Sequence, residues 1–173
     1  MPRSITIRPE RPSDIAVVHT INELAFGQSL EAEIVDKIRA NCPDIVSLVA
    51  VSDDRIVGHI LFSPAEIRTD QRTIQGMGLA PMAVHPEFQN RNIGSQLVQA
   101  GLALLRENAC PFVIVLGHPN YYPRFGFKVA STLGIACQWP VPDEAFMILP
   151  LDEKAMAGLA GVAYYRSEFN EAV

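Results

Sequence analysis

Leu79-Ala80-Pro81-Met82-Ala83-Val84-His85-Pro86-Glu87-Phe88-Gln89-Asn90-Arg91-Asn92-Ile93-Gly94-Ser95-Gln96-Leu97 is the stretch on which the reading of this chain turns. Its apolar first part reads as a strand, His85 begins a polar turn, and the apolar period then changes. Over residues 92–109, Ile93, Leu97, Val98, Gly101, Leu102, Leu104 and Leu105 form a wide stripe, with Ser95, Gln96, Gln99, Arg106 and Glu107 opposite. That pattern predicts a long amphipathic helix opening directly from the turn. A helix N-terminus carries unpaired amide donors and the positive end of the helix dipole, so it suits a phosphate-like anion. Asn92 tolerates left-handed backbone, Gly94 has no side chain to obstruct a close approach, and Arg91 adds a charge. An ordinary helix start with Asn92 as its cap fits the same residues. No Gly-Lys-Ser/Thr follows and Gly-x-Gly-x-x-Gly is absent, so neither a P-loop nor a dinucleotide fingerprint is present.

Working outward, Ile5 and Ile7 alternate with polar neighbours and predict a first strand. Pro12-Ser13-Asp14 then starts a helix that Gly27 ends, and residues 31–40 predict a second. Residues 45–51 and 55–62 flank the Asp53-Asp54 turn as a hairpin, and residues 73–84 form a further extended run. Pro81 inside that run fits an irregular strand, because proline cannot complete a ladder. Pro111 closes the long helix, Phe112-Val113-Ile114-Val115-Leu116 reads as a strand buried on both faces, and residues 145–151 as another. Helices early, an antiparallel run, then strand–helix–strand imply the α/β (α+β) class. The expected architecture is a mixed, partly antiparallel sheet with helices on both faces, in one domain over residues 1–173.

With 173 residues, 49% hydrophobic and 19% charged, the chain is neither disordered nor fibrous. Its net charge of −5 argues against nucleic acid or an anionic membrane as partner. Met1-Pro2-Arg3-Ser4-Ile5-Thr6-Ile7-Arg8 reads directly as a strand rather than a signal peptide, and the apolar stretch at residues 155–165 is too short to span a bilayer. Cys42, Cys110 and Cys137 are far apart and form no Cys-x-x-Cys pair, so neither a disulfide framework nor a metal site is expected. A soluble, cytoplasmic protein is the simplest expectation.

The run Gln89-Asn90-Arg91-Asn92-Ile93-Gly94 after Ala83-Val84-His85-Pro86 resembles the acetyl-CoA motif Q/R-x-x-G-x-G/A of the GNAT N-acetyltransferase superfamily. Leu116-Gly117-His118-Pro119-Asn120-Tyr121-Tyr122-Pro123-Arg124-Phe125-Gly126-Phe127 is similar to that superfamily's Tyr-x-x-x-Gly-Phe ending. With Ala25-Phe26-Gly27 near the first helices, the combination resembles the bacterial YhbS-like branch of predicted acetyltransferases. The resemblance runs from Ile5 to about Phe169, and it departs at Asn92, which stands where the motif has its first glycine.

The resemblance implies acetyl-CoA as co-substrate, with no metal, and an amine on a small molecule or peptide as acceptor. It implies a pyrophosphate site at Gln89, Asn90, Arg91, Asn92, Ile93, Gly94 and Ser95. It also implies pantetheine pairing along the strand edge at Met82, Ala83 and Val84, where a bulge splays the strand from its neighbour. Tyr122 falls where the family places its general acid, and a phenol protonated at neutral pH can donate to a departing thiolate. Tyr122 packing under the loop, and Tyr121 packing beside it, is the structural alternative. Many relatives carry a glutamate before the motif, but Gln75-Gly76-Met77-Gly78-Leu79 has no acid. His118 is the best titratable base candidate, against a loop histidine bonding backbone. His85 reads as packing or capping, His59 as structural, and His19 as bland. Trp139, Phe146 and Met147 read as acceptor-side lining or as core. Direct attack in a ternary complex is the expected route, since no histidine adjoins a cysteine in sequence. A non-catalytic CoA-binding sensor of the same fold is the alternative function, and a homodimer stays open.

Overall fold

The computed structural model describes residues 4–173, so residues 1–3 of the expected first strand lie outside the described residues. The chain runs β1 (Ile5–Pro9), α1 (Ile15–Phe26), α2 (Leu30–Asn41), β2 (Val46–Ser52), β3 (Arg55–Arg68) and β4 (Thr73–Val84). It continues as α3 (Ile93–Glu107), β5 (Phe112–Leu116), β6 (Lys128–Val129), β7 (Ile135–Cys137), β8 (Phe146–Pro150), α4 (Glu153–Met156) and β9 (Gly161–Tyr164). The hydrogen-bonded strand order is β1-β2-β3-β4-β5-β8-β6, with β9 pairing β3 and β7. Pairs β4–β5 and β7–β9 are parallel, whereas β1–β2, β2–β3, β3–β9, β5–β8 and β6–β8 are antiparallel. The sheet is therefore mixed and mostly antiparallel.

The residues group into two compact units, and the chain passes between them within β3, β4 and α3. The first holds the residues through Phe62 together with Pro81–Ala103. Its start is fixed by Asp14, which accepts from the Arg8 guanidinium at 2.7 and 3.2 Å and from the Arg11 N–H at 2.7 Å. Gly27, at φ +70°, ends α1 in the left-handed conformation that favours glycine. Val18 and Ile21 of α1 and Ala32, Ile34, Val35 and Ile38 of α2 are buried, as are Ile93, Leu97, Val98 and Leu102 of α3. Burying each of these larger aliphatic chains is worth about 1.5–3 kcal/mol. The helix α3 comes close to β3 because residue 101 is glycine: a Cβ there would overlap the Phe62 ring. One polar chain crosses this core. Asn22 Nδ2 lies 3.1 Å from His59 Nδ1, and Ser47 Oγ lies 2.9 Å from His59 Nε2.

The second unit holds Ser63–Ala80 and Leu104–Glu171. Phe112, Val113, Ile114 and Val115 of β5 are buried, and so are Phe146, Met147, Ile148 and Leu149 of β8. Strand β3 runs past its expected end at Phe62 for a local reason. Its pairing with β2 stops at Phe62 and its pairing with β9 begins at Glu66, so Pro64 falls in the gap where no β2 or β9 partner asks for its missing N–H. The apolar stretch at residues 155–165 resolves into α4, a left-handed Gly158 at φ +70°, and β9.

Candidate active site

In the first unit, β4 ends at Val84 and a short 3-10 turn over Pro86–Phe88 leads toward α3. The His85 N–H donates to the Val57 carbonyl at 2.8 Å, at the point where β3 carries one extra residue against β2. The His85 ring caps the turn, its Nδ1 accepting from the Glu87 N–H at 3.2 Å. Asn90 and Asn92 then take φ values of +62° and +65°, both left-handed. Asn92 thus holds the backbone conformation for which the motif normally uses glycine. The Gln96 N–H donates to the Asn92 carbonyl at 3.2 Å in the first turn of α3, the end of a helix at which backbone amides point outward. Ile93 and Ser95 are buried, and Gly94 is the second residue of the helix. Gln89 Nε2 donates to the Val84 carbonyl at 3.1 Å, which fastens this loop to the end of β4.

Two guanidinium groups flank the Phe88 ring, Arg91 at 5.2 Å and Arg55 at 5.3 Å from its centroid. Arg55 also reaches His85 Nε2 at 3.2 Å. Sequence reasoning singled out Arg91 but missed Arg55, which stands 36 positions earlier in the chain, at the start of β3. Met82 and Val84 are half-buried and Ala83 is buried. A register shift lies between β2 and β3, at Ala50 and Val51. The β4–β5 ladder pairs residues 77–79 with residues 113–115, and among the described residues no rung follows.

In the second unit, Tyr122 opens a 3-10 turn over Tyr122–Phe125 that Gly126 closes at φ +99°. Its ring is buried, edge-on to Tyr121 at 5.0 Å and to Phe127 at 5.7 Å between centroids. Gly117 makes room for it, since a Cβ at that residue would overlap the Tyr122 ring. Burial raises the phenol's pKa above its ordinary value, so the group stays protonated and keeps a proton to give. No hydrogen bond to the described residues engages the hydroxyl, which leaves it available to a partner.

His118 is exposed, and its carbonyl accepts from the Tyr121 N–H at 3.1 Å, tying down the turn that carries Tyr122. His59 is fully buried and neutral: burial, with Arg39 nearby, pulls its pKa down to about 3. His19 contacts Asp36 and Glu23 on the outer side of the helices. Burial pushes the thiols of Cys110 and Cys137 up, which keeps them un-ionised and poorly nucleophilic. Glu66 accepts from Arg68 at 2.7 Å and from Gln75 at 3.1 Å, and these bonds hold its carboxyl below the usual range. Trp139 is half-buried. With Phe146, Cys137 and Asp143 it lines a cavity of about 340 Å³, while Met147 is fully buried core. Tyr165, which sequence reasoning passed over, is buried with its hydroxyl 3.1 Å from the Leu79 carbonyl and 3.2 Å from the Ile114 carbonyl.

The geometry has counterparts among known proteins. A family model described as an acetyltransferase (GNAT) domain matches residues 6–130. The chain is 32% identical over 165 residues to the uncharacterised N-acetyltransferase YhbS of Escherichia coli K12, covering 95% of this chain and 98% of that protein. It is 36% identical over 135 residues to a second E. coli protein, the uncharacterised N-acetyltransferase YjhQ, covering 76% of this chain and 75% of that one. Among solved structures, E. coli YhbS in complex with CoA superposes with a TM-score of 0.91 at 31% identity, covering 98% of this chain and 94% of that one. A GNAT acetyltransferase from Brucella melitensis in complex with acetyl-CoA gives 0.77 at 33% identity, covering 98% and 100%. Matched in sequence over most of its length and in fold over nearly all of it, the chain belongs to the GNAT family of acetyltransferases.

Proposed function

We propose that this chain, acting as one catalytic domain, transfers the acetyl group of acetyl-CoA to an amine by direct attack in a ternary complex. The observation that carries the reading is the pair of left-handed asparagines, Asn90 and Asn92, turning the chain so that the amide end of α3 opens beside the terminus of β4. Gln89, Asn90, Arg91, Asn92, Ile93, Gly94 and Ser95 take the pyrophosphate by backbone amides and the positive end of the helix. Arg55 adds a second positive charge beside Arg91. The backbone of Met82, Ala83 and Val84 pairs with the pantetheine arm and polarises the thioester carbonyl. The amine nitrogen attacks that carbonyl carbon, the carbon–sulfur bond breaks, and Tyr122 gives its proton to the departing thiolate. The proton lost by the amine passes to His118 or to water. Relatives bound to CoA and acetyl-CoA, at 31% and 33% identity, support the choice of donor.

The acceptor is a primary amine of a small molecule or peptide, and the supply of acetyl-CoA places the reaction in the cytoplasm. The test is release of free thiol from acetyl-CoA across a panel of amines, alongside a calorimetric titration with CoA. Turnover with at least one amine is the expected result. Tight CoA binding without turnover on any amine would instead favour a sensor module of the same fold.

A further inference from the structure

The cavity of about 340 Å³ in the second unit is bounded by β7, by the loop over residues 138–145 and by Phe146 at the start of β8. Its apolar walls are Ile135, Trp139, Val141 and Phe146, and Asp143 is the one charged residue among the described residues that line it. The Asp143 carboxylate accepts from the Ser131 hydroxyl at 2.8 Å, and no basic side chain pairs with it among the described residues. Trp139 is fixed in this wall. Its indole stacks on the Tyr165 ring at 5.7 Å and 21°, and its Nε1–H donates to Asn170 Oδ1 at 3.2 Å. Gln138, the residue before it, accepts from the Tyr165 N–H at 2.6 Å. The strand register places the wall beside the end of β5 that leads to Tyr122. Phe146 stands opposite Leu116 and Gly78 opposite Ile114, so all four share one face of the sheet. The Tyr165 ring packs on Gly78 from that face, with Trp139 stacked upon it. Gly117, one residue after Leu116, faces the other way and seats the Tyr122 ring.

We propose that this cavity holds the far end of the acceptor, and that the acceptor is a primary amine carrying a second, positively charged nitrogen at the end of a short apolar chain. This rests on the acetyl-transfer reading above and names the acceptor class which that reading leaves open. A cation set against the indole is drawn to its π face, and the Asp143 carboxylate balances the charge. Ile135, Val141 and Phe146 take the methylene chain out of water. The cavity lies at the low end of the range of about 300–1,000 Å³ for small-molecule sites, so it suits one end of a small amine. The net charge of −5 favours the approach of such a cation. The two ends of the acceptor then have different tasks: the near nitrogen gives up its proton to attack, and the far nitrogen stays charged. Because the cavity and Tyr122 flank one strand end from opposite faces, the amine enters from one side while the departing thiolate is protonated from the other.

Trp139 is the single tryptophan of the chain, so its fluorescence reports occupancy of the cavity without any transfer of acetyl. The experiment titrates the full chain, in the presence of CoA, with diaminopentane, which has a nitrogen at each end, and with n-pentylamine. Tryptophan emission and heat are read together, and both titrations are repeated in Asp143→Asn, which keeps the size of the side chain and an acceptor for Ser131. The diamine should change the emission saturably and bind about tenfold more tightly than the monoamine, and that ratio should fall to near one in Asp143→Asn. With acetyl-CoA in place of CoA, free-thiol release should show the same preference in KM for the amine. No binding of the diamine, a preference below threefold, a ratio indifferent to Asp143→Asn, or diamine heat without a change in emission overturns the cavity as the acceptor's site. Thiol release with some other amine would leave acetyl transfer standing in each of those cases. Discrimination in binding with no thiol release from any amine overturns acetyl transfer instead and leaves the cation site, so the two failures are distinct.

Discussion

Two tyrosines of the second unit hold their hydroxyls in opposite ways, and the difference sets what each can do. The hydroxyl of Tyr165 is fully engaged with backbone, whereas that of Tyr122 has no partner among the described residues although its ring is buried. A group fixed by its ring and idle at its hydroxyl is suited to donate a proton. Tyr122→Phe should therefore lower kcat by about 10²–10⁴, the usual worth of general acid catalysis, with little change in CoA affinity. An acyl donor whose leaving thiol has a lower pKa should recover part of that loss, and steady-state kinetics with the two donors checks both effects. His118→Ala should remove the rising limb of the pH–rate profile at saturating acetyl-CoA if the imidazole is the base. A limb that persists assigns proton removal to water. His59 gives a prediction about stability rather than rate. Its folded pKa of about 3 lies below the unfolded 6.5, so between those values the unfolded chain binds a proton that the folded chain refuses. Stability should fall as pH drops from 6.5, by up to about 1.4 kcal/mol per pH unit. Urea unfolding at pH 7.5, 6.5 and 5.5 should show this slope, and His59→Gln should flatten it. That window lies above the ordinary range of Asp14, Glu66 and Glu168, whose lowered pKa values act only at more acid pH.

The start of α3 carries the element-scale prediction. Gly94→Val puts a branched side chain on the first turn, at the proposed pyrophosphate site, and should weaken CoA binding by at least tenfold with little effect on folding. Asn92→Gly relieves the strain of a side chain at φ +65° and should leave binding equal or tighter. Calorimetric titration of CoA into both variants checks this pair. The same element shows why some of the fold could be read from the sequence. The stripe through Ile93, Leu97, Val98 and Leu102 repeats over about three turns, and all four side chains are buried, so the signal and its cause coincide. The left-handed turn before it was legible too, because Asn92 is one of the few residues that tolerate that conformation. Strands β6, β7 and β9 were not legible. They are two, three and four residues long, shorter than any alternation can establish, and they exist because partners distant in sequence hold them. The extension of β3 past Pro64 was hidden for a related reason, since a proline marks a strand end only where its partner needs an N–H.

For the whole molecule, ligand binding and stability are linked. A ligand present at 100 times its dissociation constant stabilises the folded chain by about 2.7 kcal/mol. In a chain of this size each kcal/mol moves the melting temperature by about 2–4 °C, so saturating CoA should raise it by roughly 5–10 °C. Thermal scans across a CoA series check this, and a midpoint indifferent to CoA would count against the coenzyme site. Tyr122 and the turn over residues 89–95 were singled out from the sequence because each lies within a short local motif. Arg55 and Tyr165 were not, because their partners are remote: 30 positions separate Arg55 from His85, and 86 separate Tyr165 from Leu79. That last separation has a consequence for biosynthesis. At about 5–20 residues per second of translation, Leu79 leaves the peptidyl-transferase centre roughly 4–17 s before Tyr165 is added. During that interval the Leu79 carbonyl, and later that of Ile114, lack the hydroxyl from which both accept in the finished fold. The packing around Gly78 is therefore completed late in synthesis, well after the turn over residues 89–95 has been made.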